Sequence, residues 1–196
     1  MDLIITALLR AILLCWILFA SVSASAEDLV IGMSAAFTGT SRGLGIELYR
    51  GSTAYLELIN RSGGVHGRKI VIRAYDDSYN PIPAIRNTIK LIDDDKVFLL
   101  ANYVGTPTVT RVLPLLKNYR NKQIYLFFPF TGAAPQREPP YSDFVFNLRA
   151  SYADETAGLV DHFVGLGRRK IAVFYQAELT AEADGKVFET RLQALD

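Results

Sequence analysis

The chain has 196 residues, enough for one ordinary domain or for one domain and part of another. Its 21 basic and 20 acidic side chains leave a formal charge of +1, with neither the basic surplus that draws nucleic acid nor an acidic tail. Two histidines, His66 and His162, and a single cysteine, Cys15, are too few for a His/Cys metal cluster, and no cofactor is implied.

The N-terminus comes first. Arg10 precedes an apolar core from Ala11 to Ala20, and small residues then lead to Ala24-Ser25-Ala26, the A-x-A pattern that a signal peptidase accepts. That core falls short of the roughly 20 residues needed to span a bilayer. Residues 1–26 are therefore expected to be a cleaved signal peptide, with the mature protein exported and starting near Glu27. Cys15 would leave with the peptide, so disulfides cannot stabilise what remains.

Strands and helices then alternate. "LVIGMSAA" (Leu29–Ala36) has the apolar run of a buried parallel strand. A Gly/Thr/Ser-rich loop follows from Phe37 to Gly45. A helix over Ile46–Asn60 is expected to face inward through Leu48, Gly51, Tyr55, Leu58 and Ile59, with Gly51 in close helix–sheet contact. "SGGVHG" ends it, because glycine supplies the positive φ of a helix C-terminus. "KIVIRAYD" reads as a second strand, and Asn80 followed by Pro81 starts a second helix. "VFLLAN" is a third strand, Thr108–Tyr119 a third helix interrupted by Pro114, and "QIYLFFPF" a fourth strand. After a proline-rich loop come the strand "FVFNLRA" and a helix to about Leu166, started by a Ser151/Asp154 capping box. "RKIAVFYQ" and a helical segment Ala181–Leu195 close the chain. The order predicts an α/β fold with a doubly wound parallel sheet.

Ligands of such sheets bind outside the strand carboxyl ends. In the loop "GTPT", Thr106 can cap the third helix while Pro107 presets its first φ. Two readings stay open: a good helix start and nothing more, or a helix N-terminus whose amides, with the Thr106 and Thr108 hydroxyls, grip a carboxylate. "PFTGA" similarly offers the Thr131 hydroxyl and the bare backbone of Gly132, or is only a turn. Asp76-Asp77 read as loop carboxylates capping the next segment, and Asp93-Asp94-Asp95 as a solvated helix end. His66 and His162 are expected on the surface. No nucleophile elbow, phosphate loop or dinucleotide fingerprint is present, so nothing points to catalysis.

The segments "IGMSAAFTGTSRGLG", "RGSTAYLELINRSGGVHGRKI", "DDSYNP", "VGTPT", "PFTGA" and "VFNLRASYADET" together resemble the branched-chain amino acid (Leu/Ile/Val-binding) family of periplasmic substrate-binding proteins of ABC transporters. They span Leu29 to Gln176, and "INRSGGVHGRKI" carries the family pattern IN-x-x-GG-x-x-GR-x-I. The resemblance implies a periplasmic binding protein type 1 lobe over residues 27–143, then a crossing strand and an incomplete second lobe over 144–196. It implies no enzyme. The ligand would be a branched-chain or other amino acid, or a small carboxylate, and the partner an ABC permease of the inner membrane, with the protein in the periplasm.

By the same resemblance, Gly105, Thr106 and Thr108 would hold the ligand carboxylate. Thr131 and Gly132 would pair with carboxylate and ammonium, Leu44 would face the ligand side chain, and Tyr152 would face the cleft. The family tyrosine after the "AVFYQ" strand is replaced near Thr180, and the second lobe of relatives is longer. A sensing module of a receptor or amide-type regulator is the alternative reading.

Overall fold

The computed structural model describes residues 27–172. The expected signal peptide and the helix 181–195 lie outside the described residues, as does the second half of the expected strand 169–176. Strand β1 (Leu29–Ala35) pairs in parallel with β2 (Ile70–Asp76) along its full length, Leu29 opposite Ile70 and Ala35 opposite Asp76. On its other side β1 meets β3 (Leu99–Ala101), followed by β4 (Leu126–Phe127) and β5 (Val145–Phe146), all parallel, in the order β2-β1-β3-β4-β5. The chain thus crosses from one side of β1 to the other after β2, which places the switch in strand order at the carboxyl ends of β1 and β3. The expected parallel sheet is present.

Among the described residues three α-helices connect the strands, α1 (Arg42–Arg61), α2 (Pro81–Asp93) and α3 (Thr106–Asn118), and α4 (Tyr152–Gly165) follows β5. Their ends follow local chemistry. After α1, Gly63 at φ 101 donates to Asn60 O, and Gly64 donates to Ile59 O, a paired closure that takes up two orphan carbonyls. The Asn80 side chain accepts from Ile82 N at 2.9 Å and starts α2, with Pro81 at the first helical position. Ser151 Oγ accepts from Asp154 N, while Asp154 accepts from Ser151 N, so the capping box of α4 is closed.

The core lies between the sheet and α2 with α3. Leu100, Leu126 and Val145 point there from the strands, and Leu91, Val112, Leu113 and Leu116 meet them from the helices. Each fully buried Val or Leu contributes roughly 1.5–3 kcal/mol. Gly32 belongs to this face because a Cβ there would come within 2.9 Å of Leu100 and 3.2 Å of Leu91. On the opposite face α1 covers Met33 and Ala35 with Leu48 and Tyr49.

Several expectations are corrected. Gly51 is exposed with open space around a Cβ; the close contact of α1 is at Gly45, where a Cβ would meet Ala36 O at 2.1 Å. Tyr55 and Leu58 face solvent, so the inward stripe of α1 runs through Gly45, Leu48 and Tyr49. Thr106 does not cap α3: Gly105 is the capping residue, without a side-chain cap, and Thr106 is the first helical residue. The helix runs on through Pro114. Asp93 is no idle helix end, since it accepts from Tyr119 Oη at 2.5 Å and Lys122 Nζ at 2.6 Å, tying α2 to the end of α3. His66 and His162 are exposed, as the sequence implies.

Candidate functional site

Beyond the last ladder bonds of β3 and β4 the two chains stay zipped together. Phe130 N donates to Tyr103 O at 2.7 Å and Gly105 N to Phe130 O at 3.3 Å, forming a bridge between Val104 and Phe130. This pairing carries the start of α3 and the loop after β4 to the same corner. There Thr106 Oγ1 lies 2.8 Å from Thr131 Oγ1 and 3.3 Å from Tyr152 Oη. Three hydroxyls on three segments thus form one chain of hydrogen bonds at the carboxyl end of the sheet.

Each member is held from behind. Gly105 has φ 103, and a Cβ there would lie 2.4 Å from the Tyr79 ring, so only glycine fits both the backbone and the space. Because Gly105 brings no side-chain cap and Pro107 has no N–H, the amides of Thr106 and Thr108 stand uncapped at the positive pole of α3. Thr131 is fully buried; its hydroxyl accepts from Ala133 N at 3.2 Å, and its carbonyl accepts from Gln136 Nε2 at 3.2 Å. Gly132 O accepts from Tyr152 N at 2.8 Å, and a Cβ on Gly132 would lie 2.6 Å from the Tyr152 ring.

The structure therefore brings Gly105, Thr106, Thr131, Gly132 and Tyr152 together. Thr108 stands one position apart in role: its hydroxyl donates to Val104 O at 2.5 Å and Gly105 O at 2.9 Å, which uses its only proton inside the helix. Only its amide is left for a ligand. Leu44 lies outside the hydroxyl chain, on the first turn of α1 and 45% exposed. Thr106 itself is 5% exposed and Thr131 fully buried, with the Tyr152 phenol bonded to the pair through Thr106.

Sequence reasoning missed the second layer. Asp76 and Asp77 accept from Ser78 N and Tyr79 N, amides of the next segment as expected of loop carboxylates, and beyond that they shape the loops around the corner. Asp76 Oδ1 accepts from Phe37 N, Thr38 N and Ser78 N, pinning the loop after β1 to the loop after β2. Burial works against its charge, but the bonds from Thr38, Phe37 and Ser78 pull its pKa down to about 2. Asp77 is buried, accepting from Ser34 Oγ at 2.8 Å and Tyr79 N at 2.9 Å. Here burial prevails and its pKa rises to about 6. Together they hold Ser78 and Tyr79 in the left-handed region, at φ 51 and 62, which puts the Tyr79 ring against Gly105. No local signal announces two consecutive left-handed non-glycine residues. Among the described residues no group of three His, Cys, Asp or Glu could hold a metal ion, and no helix is long and apolar enough to cross a membrane.

A parallel sheet with helices on both faces, and with its loops gathered over the switch in strand order, defines an α/β lobe of the periplasmic-binding type. A family model described as periplasmic binding protein matches residues 28–192, and the chain belongs to that family. Its relatives include an amino acid binding protein of Pseudomonas aeruginosa, 28% identical over 154 residues, which cover 77% of this chain and 40% of that protein. The Leu/Ile/Val-binding protein of Escherichia coli is 26% identical over 62% of this chain and 32% of its own length. Among solved structures, a possible leucine/isoleucine/valine-binding protein from Rhodopirellula baltica superposes with a TM-score of 0.79 at 29% identity, covering 90% of this chain and 47% of that one. The chain thus spans less than half the length of these relatives.

Proposed function

We propose that this lobe binds the carboxylate of an amino acid or other small organic acid, as part of an exported solute-binding protein that delivers it to an ABC permease in the inner membrane. The observation that carries the reading is the Thr106–Thr131–Tyr152 hydroxyl chain lying at the uncapped N-terminus of α3. Hydroxyls and helix amides donate to a carboxylate without placing a full positive charge in the site, so release stays easy. The relatives named for amino acid and Leu/Ile/Val binding support the ligand class. They are solute-binding proteins, which supports a role without catalysis. The signal-like residues 1–26 support export to the periplasm, and residues 27–143 would form the first lobe with 144–196 opening the second.

Calorimetry of the mature chain against leucine, isoleucine, valine and benzoate tests this directly. Saturable heat with one of them, reduced in Thr106→Val, is the expected result. Heat of dilution alone with all four removes the reading. Export is checked separately, by N-terminal sequencing of the periplasmic fraction, where Glu27 is expected as the first residue.

A further inference from the structure

We propose that Arg149 is a positioning residue that holds the Tyr152 phenol over the Thr106–Thr131 hydroxyl pair, a role that rests on the reading of that pair as the ligand corner. The Arg149 guanidinium carbon lies 5.2 Å from the Phe130 ring centre and 5.0 Å from that of Tyr152. One cation thus joins the loop after β4 to the first residue of α4 through their ring faces. Its plane is fixed by Glu155, one helical turn beyond Tyr152, which accepts from Nε and from Nη2 at 2.7 Å each. Its backbone is fixed as well, because Arg137 Nη2 donates to Arg149 O at 2.7 Å and to Ala150 O at 3.0 Å.

The arrangement leaves Tyr152 little freedom. Its amide is bonded to Gly132 O, its ring fills the space that a Cβ on Gly132 would need, and Arg149 closes on the ring from the crossing segment. Since Glu155 balances the guanidinium, Arg149 offers its π-facing surface without a free charge that would compete for the ligand's carboxylate. A lysine cannot replace it, because a point charge makes neither the two-pronged bond nor the flat contact. The hydroxyl of Tyr152 reaches Thr106 because Arg149 keeps the ring in place.

The test combines a spectrum without ligand and a binding cycle. In ligand-free protein, Arg149→Met is expected to shift the NMR signals of the Tyr152 ring and the Thr106 methyl, with Glu155→Gln shifting them the same way by less. For the acid that binds, Arg149→Met is expected to raise the dissociation constant about tenfold, and by less than about threefold when Tyr152→Phe is already present. Unmoved Tyr152 and Thr106 signals in both variants would overturn the proposal, as would equal losses in the two backgrounds. Should Arg149→Met fail to fold, Glu155→Gln carries the same spectral and binding comparison. If no acid binds the wild-type protein while the ligand-free signals move, the binding function falls and the positioning role stands.

Discussion

Thr106 and Thr108 are two residues apart, yet their hydroxyls face opposite tasks. Thr106 bonds across to Thr131 and Tyr152, whereas Thr108 bonds back onto Val104 and Gly105. Thr106→Val should weaken carboxylate binding by about 1–3 kcal/mol, the cost of stranding a bond to a charged acceptor. Thr108→Val should leave affinity nearly unchanged and lower stability by about 1 kcal/mol, since it removes a bond internal to the helix. Calorimetry and thermal melts on the two variants separate these outcomes; equal losses of affinity would return the Thr108 hydroxyl to the ligand.

Asp77 makes a second residue-scale prediction. Its folded pKa is about 6 against an ordinary 3.8, so between those values the native state holds a proton that the unfolded chain has released. Its contribution to stability is therefore complete below about pH 4 and is lost as pH rises through about 6. Asp76 has the opposite sign: with a folded pKa of about 2, its contribution is lost as pH falls from near 4 toward 2. Urea titrations at steps from pH 4 to pH 7 should find Asp77→Asn gaining on the wild type as pH rises, then running level above about pH 6. A constant difference across that range would mean that Asp77 is charged throughout.

At the scale of elements, the alternation of apolar runs and helical spacings was readable because strands of a parallel sheet tend to be near-continuous apolar runs, distinct from the 3.6-residue period of the helices between them. The signals at Asn80-Pro81 and Ser151/Asp154 were readable because capping is local. Strand ends were not. The runs Val97–Asn102 and Gln123–Phe130 suggested long strands, but the ladder ends where Asn102 turns to φ 60 and Phe128 to φ 54. Nothing in an apolar run marks such a turn. The same limit hid Arg149 and Glu155, six residues apart across a loop-to-helix junction and so outside any helical pairing rule. In α1 the glycines were misjudged for a related reason: spacing named Gly51 as the close contact, while only the geometry shows Gly45 against Ala36 O. Gly45→Ala should therefore destabilise by about 1–3 kcal/mol through overpacking. Gly51→Ala should stabilise by about 0.5–1 kcal/mol, because an exposed helical glycine gives up chain entropy for nothing. Chemical denaturation of the pair decides it, and loss of stability in both would restore the original view of Gly51.

For the whole molecule, the two faces of the sheet are unequal. One is sealed by α2 and α3, while the other carries α1 over β1 and β2 and an aromatic surface farther along. On that surface Phe127 stacks on Phe146 at 4.5 Å, and Phe128 and Phe146 are 45% and 49% exposed. An apolar recess of about 230 Å³ lies between α1 and these strands, lined by Tyr55, Leu56, Leu99, Ala101, Phe127 and Phe128. It is set apart from the hydroxyl corner, with none of whose members it shares a lining residue. Parallel sheets are normally covered on both faces, so this surface should bind an apolar dye and promote association of the isolated chain. Phe128 is the residue to change. Its ring gains about 0.5–1.5 kcal/mol from the edge contact with Phe127, at a centroid distance of 5.6 Å. Its left-handed backbone costs roughly 1–2 kcal/mol. The two nearly cancel, so Phe128→Asn should leave stability within about 1 kcal/mol of the wild type while lowering dye fluorescence and weakening association in sedimentation. Undiminished dye binding in that variant would mean that the dye binds elsewhere and not on this surface.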